Sequence, residues 1–367
     1  MNTPTLKQAL KANMHKTAVI GWDIGGAHLK AVQVDSTGQV LAVEQIYCPL
    51  WRGLHELDRA FDGILSRLQA PQHAVTMTGE LADFFINRHD GVQQIAAFAQ
   101  QKLGDKVQFY AAKNGFIPLQ KVATHTVNIA SMNWFASVQL LATHLPQALF
   151  VDVGSTTTDI AIINQHHAQV QGFNDAARMQ ADELVYTGVV RTPLMALAQK
   201  IEFNGKLTHV AAEHFATTAD IYMLTGDLSA EKNMSETADG AEKTIDASAR
   251  RIARMVGMDS ADADLTAWVA LANAFKQAQL NQVRLAVSHQ LARINPMEKL
   301  TLVACGAGEF LAREIAQQLG LHFLSVTDFI EAENIETQNN AAVCFPAFAV
   351  AQLGLMNLSH SERVVTC

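Results

Sequence analysis

Two short stretches put carboxylates, glycines and hydroxyls together at the ends of apolar runs. "WDIGGAHLKAV" carries Asp23, Gly25, Gly26, His28 and Lys30, and "VDVGSTTTDIA" carries Asp152, Gly154, Ser155, Thr156, Thr157, Thr158 and Asp159. A buried strand has no use for that much polarity, whereas a loop that holds an anion does. Glycine lets consecutive N–H groups point into a concavity and lets a ligand oxygen approach the main chain. Hydroxyls add donors, although strand alternation turns only some of them inward. Carboxylates repel phosphate directly, yet they join it through Mg²⁺, which takes one or two carboxylates together with ligand phosphates. Asp23 and Asp152 are therefore the metal-side candidates. Lys30, as a cation, and the loop residues are the phosphate-side ones.

The two stretches also match each other. Laid one over the other, Asp23 falls on Asp152, Gly25 on Gly154, Gly26 on Ser155 and Lys30 on Asp159. Each reads as strand, tight polar loop, strand. The same phosphate-sized turn in each half of a chain predicts two similar lobes facing one cleft. Asp before Gly is also a common turn former, but the repetition favours function for Asp23 and Asp152. Asp159 opens an apolar strand and is otherwise unexplained.

A third element, "CGAGEF" at residues 305–310, puts Gly306 and Gly308 at a strand end and Glu309 at the start of a helix, where exposed N–H groups suit a phosphorylated or flat ligand. A dinucleotide-binding fingerprint would need a third glycine where Leu311 stands. Further cleft candidates are Glu80 in "TGEL", Asn133 on a small-residue helix, and Arg191 with Thr192 before Pro193, which could anchor an anionic end of a substrate. Each has a plain structural reading beside it: a helix-start carboxylate, a packing position, a cap. For Asp220 in "TTADIY" the capping reading leads. The 14 histidines show no metal-binding spacing, and His166–His167 fall in an expected exposed turn. No Gly-x-Ser-x-Gly elbow and no Gly-x-x-x-x-Gly-Lys loop occur.

The elements that must carry these residues can be outlined from pattern. Strands are expected over 17–23 and in "LKAVQVD", and helices over 53–69 (apolar spacings of three and four) and 128–145. The hydroxyl-rich hairpin precedes a polar turn at 164–172. A mostly helical region follows, clearest over 262–294, with a polar connection at 227–247. Strand, glycine turn and helix over 299–320, a short strand "HFLSV" and a single apolar helix over 340–355 close the chain. The 367 residues carry 49% apolar and 17% charged side chains and a net charge of −8, a globular composition with no basic block to draw nucleic acid or an anionic membrane. Four scattered cysteines without a Cys-x-x-Cys pair fit a reduced compartment. The start "MNTPTLKQALKANMHK" reads as a polar extension without an apolar signal segment, and no run of 18 apolar residues occurs. A cytoplasmic protein is expected, without nucleic-acid or membrane partners; a homo-oligomer is compatible with the sequence.

In this order the three elements resemble the two phosphate loops and the adenosine motif of the sugar kinase, Hsp70 and actin superfamily. The helices at 128–145 and 341–353 stand where that superfamily has its connecting helices. Within it the chain resembles the hydantoinase/oxoprolinase branch. Through "GWDIGGAHLKAV", "VTMTGELADFF", "ASMNWFASVQLLA", "VDVGSTTTDI", "DELVYTGVVRTPLMAL" and "TTADIYMLTGDL" it resembles the aminomethylfuran-methanamine synthases of methanofuran biosynthesis. That group includes bacterial proteins of tetrahydromethanopterin-linked one-carbon transfer. The resemblance implies a two-lobed α/β fold with ribonuclease H-like lobes of mixed sheet around a phosphate-binding cleft. Lobe I would be 1–145 with 341–367, and lobe II 146–340. It also implies an alkyl/aryl transferase, with a small-molecule diphosphate and a tyramine- or tyrosine-type phenol as partners and Mg²⁺ as cofactor; ATP is not required. The phenol must shed its proton, and Asp23, then Asp159, are the carboxylates expected to take it. Two other readings stay open: an ATP-dependent kinase or hydantoinase/oxoprolinase-like hydrolase, and a nucleotide-gated interaction protein.

Overall fold

The computed structural model of the chain describes residues 17–230, 233–294 and 300–365. The expected N-terminal extension and Cys367 lie outside the described residues.

The first sheet is built from β1 (Thr17–Ile24), β2 (His28–Asp35), β3 (Val40–Tyr47), β4 (His73–Met77), β5 (Val107–Tyr110) and β6 (Phe116–Ile117), in the order β3-β2-β1-β4-β5-β6. β1 to β3 form an antiparallel meander, and β4 and β5 join β1 in parallel. Parallel neighbours need crossover connections. Here these contain α1 (Leu54–Leu65) and α2 (Arg88–Leu103). Leu57, Phe61 and Ile64 of α1 and Val92 and Ile95 of α2 bury one stripe each against Trp22 and Val75 of the sheet. A β4 buried at every position fits a strand covered on both faces.

Short helices α3 (Leu119–Val122) and α4 (Thr126–Ile129) and the longer α5 (Asn133–His144) lead into the second lobe. Its sheet contains β7 (Gln147–Val153), β8 (Thr158–Asn164), β9 (His167–Gln169), β10 (Leu184–Val185), β13 (Thr301–Cys305) and β14 (His322–Ser325). Its strand order is β10-β8-β7-β13-β14, with β9 also paired to β8. α6 (Asp175–Gln180) stands between β9 and β10. A hairpin of β11 (Lys200–Phe203) and β12 (Lys206–His209) stands apart from both sheets, before α7 (Thr218–Thr225), α8 (Ile245–Arg254) and α9 (Leu265–Leu291). α10 (Glu309–Gln318) crosses from β13 to β14. Each sheet thus has an antiparallel hairpin followed by two parallel neighbours: β2-β1-β4-β5 in one and β8-β7-β13-β14 in the other. The repeat expected from sequence extends beyond its hairpins to the sheets that hold them.

Between the lobes lie α5 and the last two helices, α11 (Ile335–Val343) and α12 (Phe345–Val365). α12 packs on β1, β2 and β4, and α5 packs on α12, β8 and β9. One apolar core joins Val19 and Val32 of the first sheet to Phe150 and Ile163 of the second through Trp134 and Phe345. The contact of β1 with α12 is close: a Cβ at Gly21 would lie 2.0 Å from the Ala347 carbonyl oxygen, so only glycine fits. The lobes are therefore held at their base by packed backbone and side chains, which fixes the spacing of the hairpins above it.

Several elements differ from the sequence expectation. The single final helix is two, bent by 97° at a break. Pro346 sits in the first turn of α12, where its missing N–H costs nothing, but it cannot continue a helix from α11. The carbonyl of Ala342 receives Gly306 N–H instead, at 3.5 Å. The helix expected from 128 begins at Asn133, because Ser131 has a φ of +54° and Ala130 pairs with Met77. The helix expected to 69 ends at Leu65, and the polar turn at 164–172 contains β9. The supposedly helical region contains the β11–β12 hairpin. Among the described residues no single helix is long and apolar enough to cross a membrane.

Candidate active site

The two hairpins share a register and a backbone hydrogen bond at their turns. Across β1–β2, Asp23 faces Lys30; across β7–β8, Asp152 faces Asp159. Gly25 N–H donates to the His28 carbonyl at 2.9 Å, and Gly154 N–H donates to the Thr157 carbonyl at 2.9 Å. Both turns open on the same cleft, with a volume of about 1130 Å³ between the lobes. Asp23, Gly25, Gly26, His28 and Lys30 line it from one side and Asp152, Gly154, Ser155, Thr156, Thr157 and Asp159 from the other. His28 is the first residue of β2 rather than part of the loop.

The first hairpin's charges are paired and confined. Lys30 Nζ lies 3.9 Å from Asp23 Oδ2. Burial raises the Asp23 carboxyl above the usual range, while Lys30 and a hydrogen bond from Asn133 draw it down. Its Oδ1 has no partner among the described residues. Asn133 is the first residue of α5, so the start of the interlobe helix aims a side-chain donor at this carboxylate. For Lys30, burial works against the ammonium, but Asp23 and Asp152 outweigh it and raise its pKa, so it stays charged. Burial, with Lys30 and Arg191 nearby, pushes His28 down to about 3, leaving a neutral imidazole in the cleft.

The second hairpin holds two facing carboxylates. Burial and then the charge of Asp159 push Asp152 up to about 6, against Lys30 and a hydrogen bond from the Cys305 thiol. Gly306 makes room for it: a Cβ there would lie 2.4 Å from Asp152 Oδ1. Arg178, 1% exposed, binds Asp159 Oδ1 at 2.6 Å, donates to the Glu183 carbonyl and lies 3.8 Å over the Trp134 ring. The loop main chain is clamped by the segment that follows β10: Val189 N–H donates to the Gly154 carbonyl and Arg191 N–H to the Ser155 carbonyl. Gly188 lets that segment in, since a Cβ there would lie 2.4 Å from Thr156 N. Of the hydroxyl run, Thr158 faces inward and donates to the Thr187 carbonyl, so it is structural.

Three expected site residues do not line the cleft. Thr192 is buried and accepts the Gly188 N–H at 2.8 Å, bracing the clamp. Gly308 is a packing glycine, where a Cβ would strike the side chains of Val153 and Val189. Glu80 is 1% exposed and lies behind Ser131, whose hydroxyl donates to it at 2.7 Å. Gly306, Glu309, Asn133 and Arg191 do line the cleft. Asp220 completes a capping box with Thr217 and pairs with Arg251, as its structural reading expects. Both flagged histidines are exposed, as expected, and His166 Nδ1 donates to the Ala142 carbonyl at 2.9 Å. Residues the sequence reading passed over are Arg178, Gly188, Ser131 and Trp51, over whose ring Arg191 lies at 4.9 Å across the cleft mouth. Gly188 alone carried a signal, as a glycine beside an Arg-Thr-Pro turn.

Among the described residues no cluster of three or more His, Cys, Asp or Glu side chains could hold a metal ion. A cation here would have to share its shell with ligand oxygens and water, which is how Mg²⁺ binds beside phosphates. The unpartnered Asp23 Oδ1 and the Asp152 carboxylate that Lys30 keeps within reach of ionisation suit that role.

A model of the hydantoinase/oxoprolinase family matches residues 72–350. The chain belongs to the hydantoinase/oxoprolinase family. A relative in this setting is the (4-{4-[2-(gamma-L-glutamylamino)ethyl]phenoxymethyl}furan-2-yl)methanamine synthase of Methanocaldococcus jannaschii. It is 28% identical over 339 residues, covering 92% of this chain and 98% of that protein. The protein of the same name from Methanococcus vannielii is 36% identical over 111 residues, 30% of this chain and 50% of that one. Among solved structures, nucleotide-free acetone carboxylase is similar with a TM-score of 0.51 at 13% identity, covering 83% of this chain and 68% of that one. The fold of this hydantoinase/oxoprolinase family member is the two-lobed actin/Hsp70/sugar-kinase-like α/β architecture with mixed sheets.

Proposed function

We propose that the chain is an enzyme of methanofuran-type cofactor assembly that forms an aryl ether by displacing diphosphate from an aminomethylfuran-methyl diphosphate with a tyramine- or tyrosine-type phenol. It would serve one-carbon metabolism that uses tetrahydromethanopterin. The relatives' name supports the product class: cutting the phenoxymethyl bond of that product leaves a phenol and a furan-bearing methylene. The observation that carries the reading is the pair of matched hairpin turns, Gly25–His28 and Gly154–Thr157, opening on one cleft with Lys30 beside Asp23.

The residues suit this chemistry. A diphosphate leaves when its growing charge is met by donors already in place. Lys30, Ser155, Thr156 and the open N–H groups of the two turns supply such donors. Asp23 and Asp152 would hold Mg²⁺, which when bound neutralises leaving-group charge as a Lewis acid. Arg178 holds one oxygen of Asp159 and opposes the burial that raises its pKa, so the two facing carboxylates of the second hairpin differ in what they can offer a ligand. With a furfuryl carbon that shares positive charge with its ring, the protein's main task is to hold diphosphate and phenol in line.

Incubation with furfuryl diphosphate, a phenol and Mg²⁺, without nucleotide, tests the reading. Ether and free diphosphate are expected. A strict requirement for ATP with a phosphorylated product would replace it with a kinase, and nucleotide-dependent association without turnover would replace it with an interaction protein.

A further inference from the structure

We propose that Ser131 and Glu80 form a proton relay for the acceptor hydroxyl: Ser131 Oγ takes the phenol proton while passing its own to Glu80. The relay rests on the ether-forming reading above.

Ser131 lines the cleft two residues before Asn133, whose side chain donates to Asp23. Its φ of +54° is unfavourable for a residue with a Cβ, a strain that folds tend to retain where a side chain must be aimed. The pairing of Ala130 with Met77 at the end of β4 fixes the preceding backbone. From there the Ser131 hydroxyl donates to Glu80 Oε1 at 2.7 Å. Its one hydrogen is committed inward, so towards the cleft it offers only lone pairs. While Glu80 is ionised, such a hydroxyl accepts from a ligand O–H or N–H rather than donating to a phosphate.

Behind it Glu80 is 1% exposed, and its second oxygen, Oε2, has no partner among the described residues. A buried carboxylate with one oxygen unsatisfied is costly as a purely structural feature. The surroundings are built around it nevertheless: a Cβ at Gly91 would lie 2.5 Å from the Glu80 carbonyl oxygen, so α2 is let in against this residue. Burial pushes Glu80 up to about 7, with the Ser131 hydrogen bond and Arg88 of α2 pulling down and Asp175 of α6 pushing up. That value suits a group exchanging protons at neutral pH. The carboxylates of the two hairpins have other roles. Asp159 is bound by Arg178, and Asp23 and Asp152 are the metal-side pair.

The step balances. The bond between the furan methylene and the diphosphate oxygen breaks, its electron pair leaving with diphosphate. The phenol oxygen forms the new carbon–oxygen bond. The phenol proton moves to Ser131 Oγ and the serine proton to Glu80 Oε1; Glu80 returns a proton to water after product release. Ser131 touches the acceptor, and Glu80 is a positioning residue that acts through it.

The test compares wild type, E80Q and S131G with furfuryl diphosphate and Mg²⁺, using phenol and, separately, the far more acidic 4-nitrophenol. With phenol, kcat should fall about 10²- to 10⁴-fold in both variants with little change in KM. With 4-nitrophenol at a pH above about 8, where it is largely phenolate, both should stay within a few-fold of wild type. The acid limb of the wild-type kcat profile near pH 7 should vanish in E80Q. S131G accepts a positive φ more readily than serine, so its thermal midpoint should not fall, and lost turnover there is not lost folding. Equal loss with both phenols, or wild-type rates with phenol, would overturn the relay while leaving ether formation standing. Absence of ether from wild type would instead remove the functional reading and the relay with it.

Discussion

Asp152 and Gly306 share one space. The Asp152 Oδ1 atom lies 2.4 Å from where a Cβ at position 306 would stand, and Gly306 has a φ of +88°. The glycine turn after β13 therefore seats the carboxylate of the second hairpin as well as opening a helix. Gly306→Ala should displace Asp152 and strain the backbone by about 1–2 kcal/mol. Turnover should drop at least ten-fold and the thermal midpoint by a few degrees, checked by steady-state kinetics and a melting curve.

Asp23→Asn and Asp152→Asn should each abolish measurable ether formation while leaving the fold unchanged by circular dichroism. Either variant should need far more Mg²⁺ for any residual activity, and chelation of the wild type should stop turnover reversibly. A variant with the wild-type rate would take that residue out of the mechanism.

Arg178→Met should leave Asp159 as an unpaired charge in a largely buried setting, and breaking such a pair costs about 3 kcal/mol. Denaturant unfolding should register that loss. Adding Asp159→Asn should recover much of it, because the charge that needed the guanidinium is gone. If the double variant is no more stable than the single one, Arg178 acts through its stacking on Trp134 and its bond to the Glu183 carbonyl.

How far the sequence discloses this site follows from the range of each interaction. Asp23, Gly25, Asp152 and Gly154 were legible because polarity at a strand end is a local signal and it occurs twice. Their register partners, Lys30 and Asp159, follow from the same hairpins. Arg178 was not legible: it reaches Asp159 from a helix beyond β9, and only the folded sheet brings them together. That Glu80, Thr192 and Gly308 do not line the cleft has a related reason. Each lies in a connection or short turn next to the cleft, and sequence does not say whether such a residue faces the ligand or braces the wall behind it. The break between α11 and α12 was visible as Pro346, but a continuous run of small apolar residues masked it.

In the metal-free chain Asp152 and Glu80 should each cost stability as pH rises from about 4 to about 7, against buried His28 and His73, whose depressed pKa values favour the fold as pH rises through the same range. Asp152, held at about 6, and Glu80, at about 7, both lie above ordinary carboxylate values near 4. The folded chain therefore keeps protons that the unfolded chain has already released. The stabilisation is complete below the unfolded pKa and is lost as pH passes the folded one. Unfolding measured across that range should flatten at its lower end in Asp152→Asn and at its upper end in E80Q. Variant curves that run parallel to the wild-type curve from pH 4 to 7 would contradict these assignments.

The central claim is that the two hairpins together clasp a diphosphate and its cation. Calorimetric titration of the chain with inorganic diphosphate in the presence of Mg²⁺ tests it most directly. One site per chain is predicted, lost when Mg²⁺ is chelated and weakened at least ten-fold by either Lys30→Ala in the first hairpin or Asp152→Asn in the second. Absence of binding, or binding that survives both substitutions, would contradict the account.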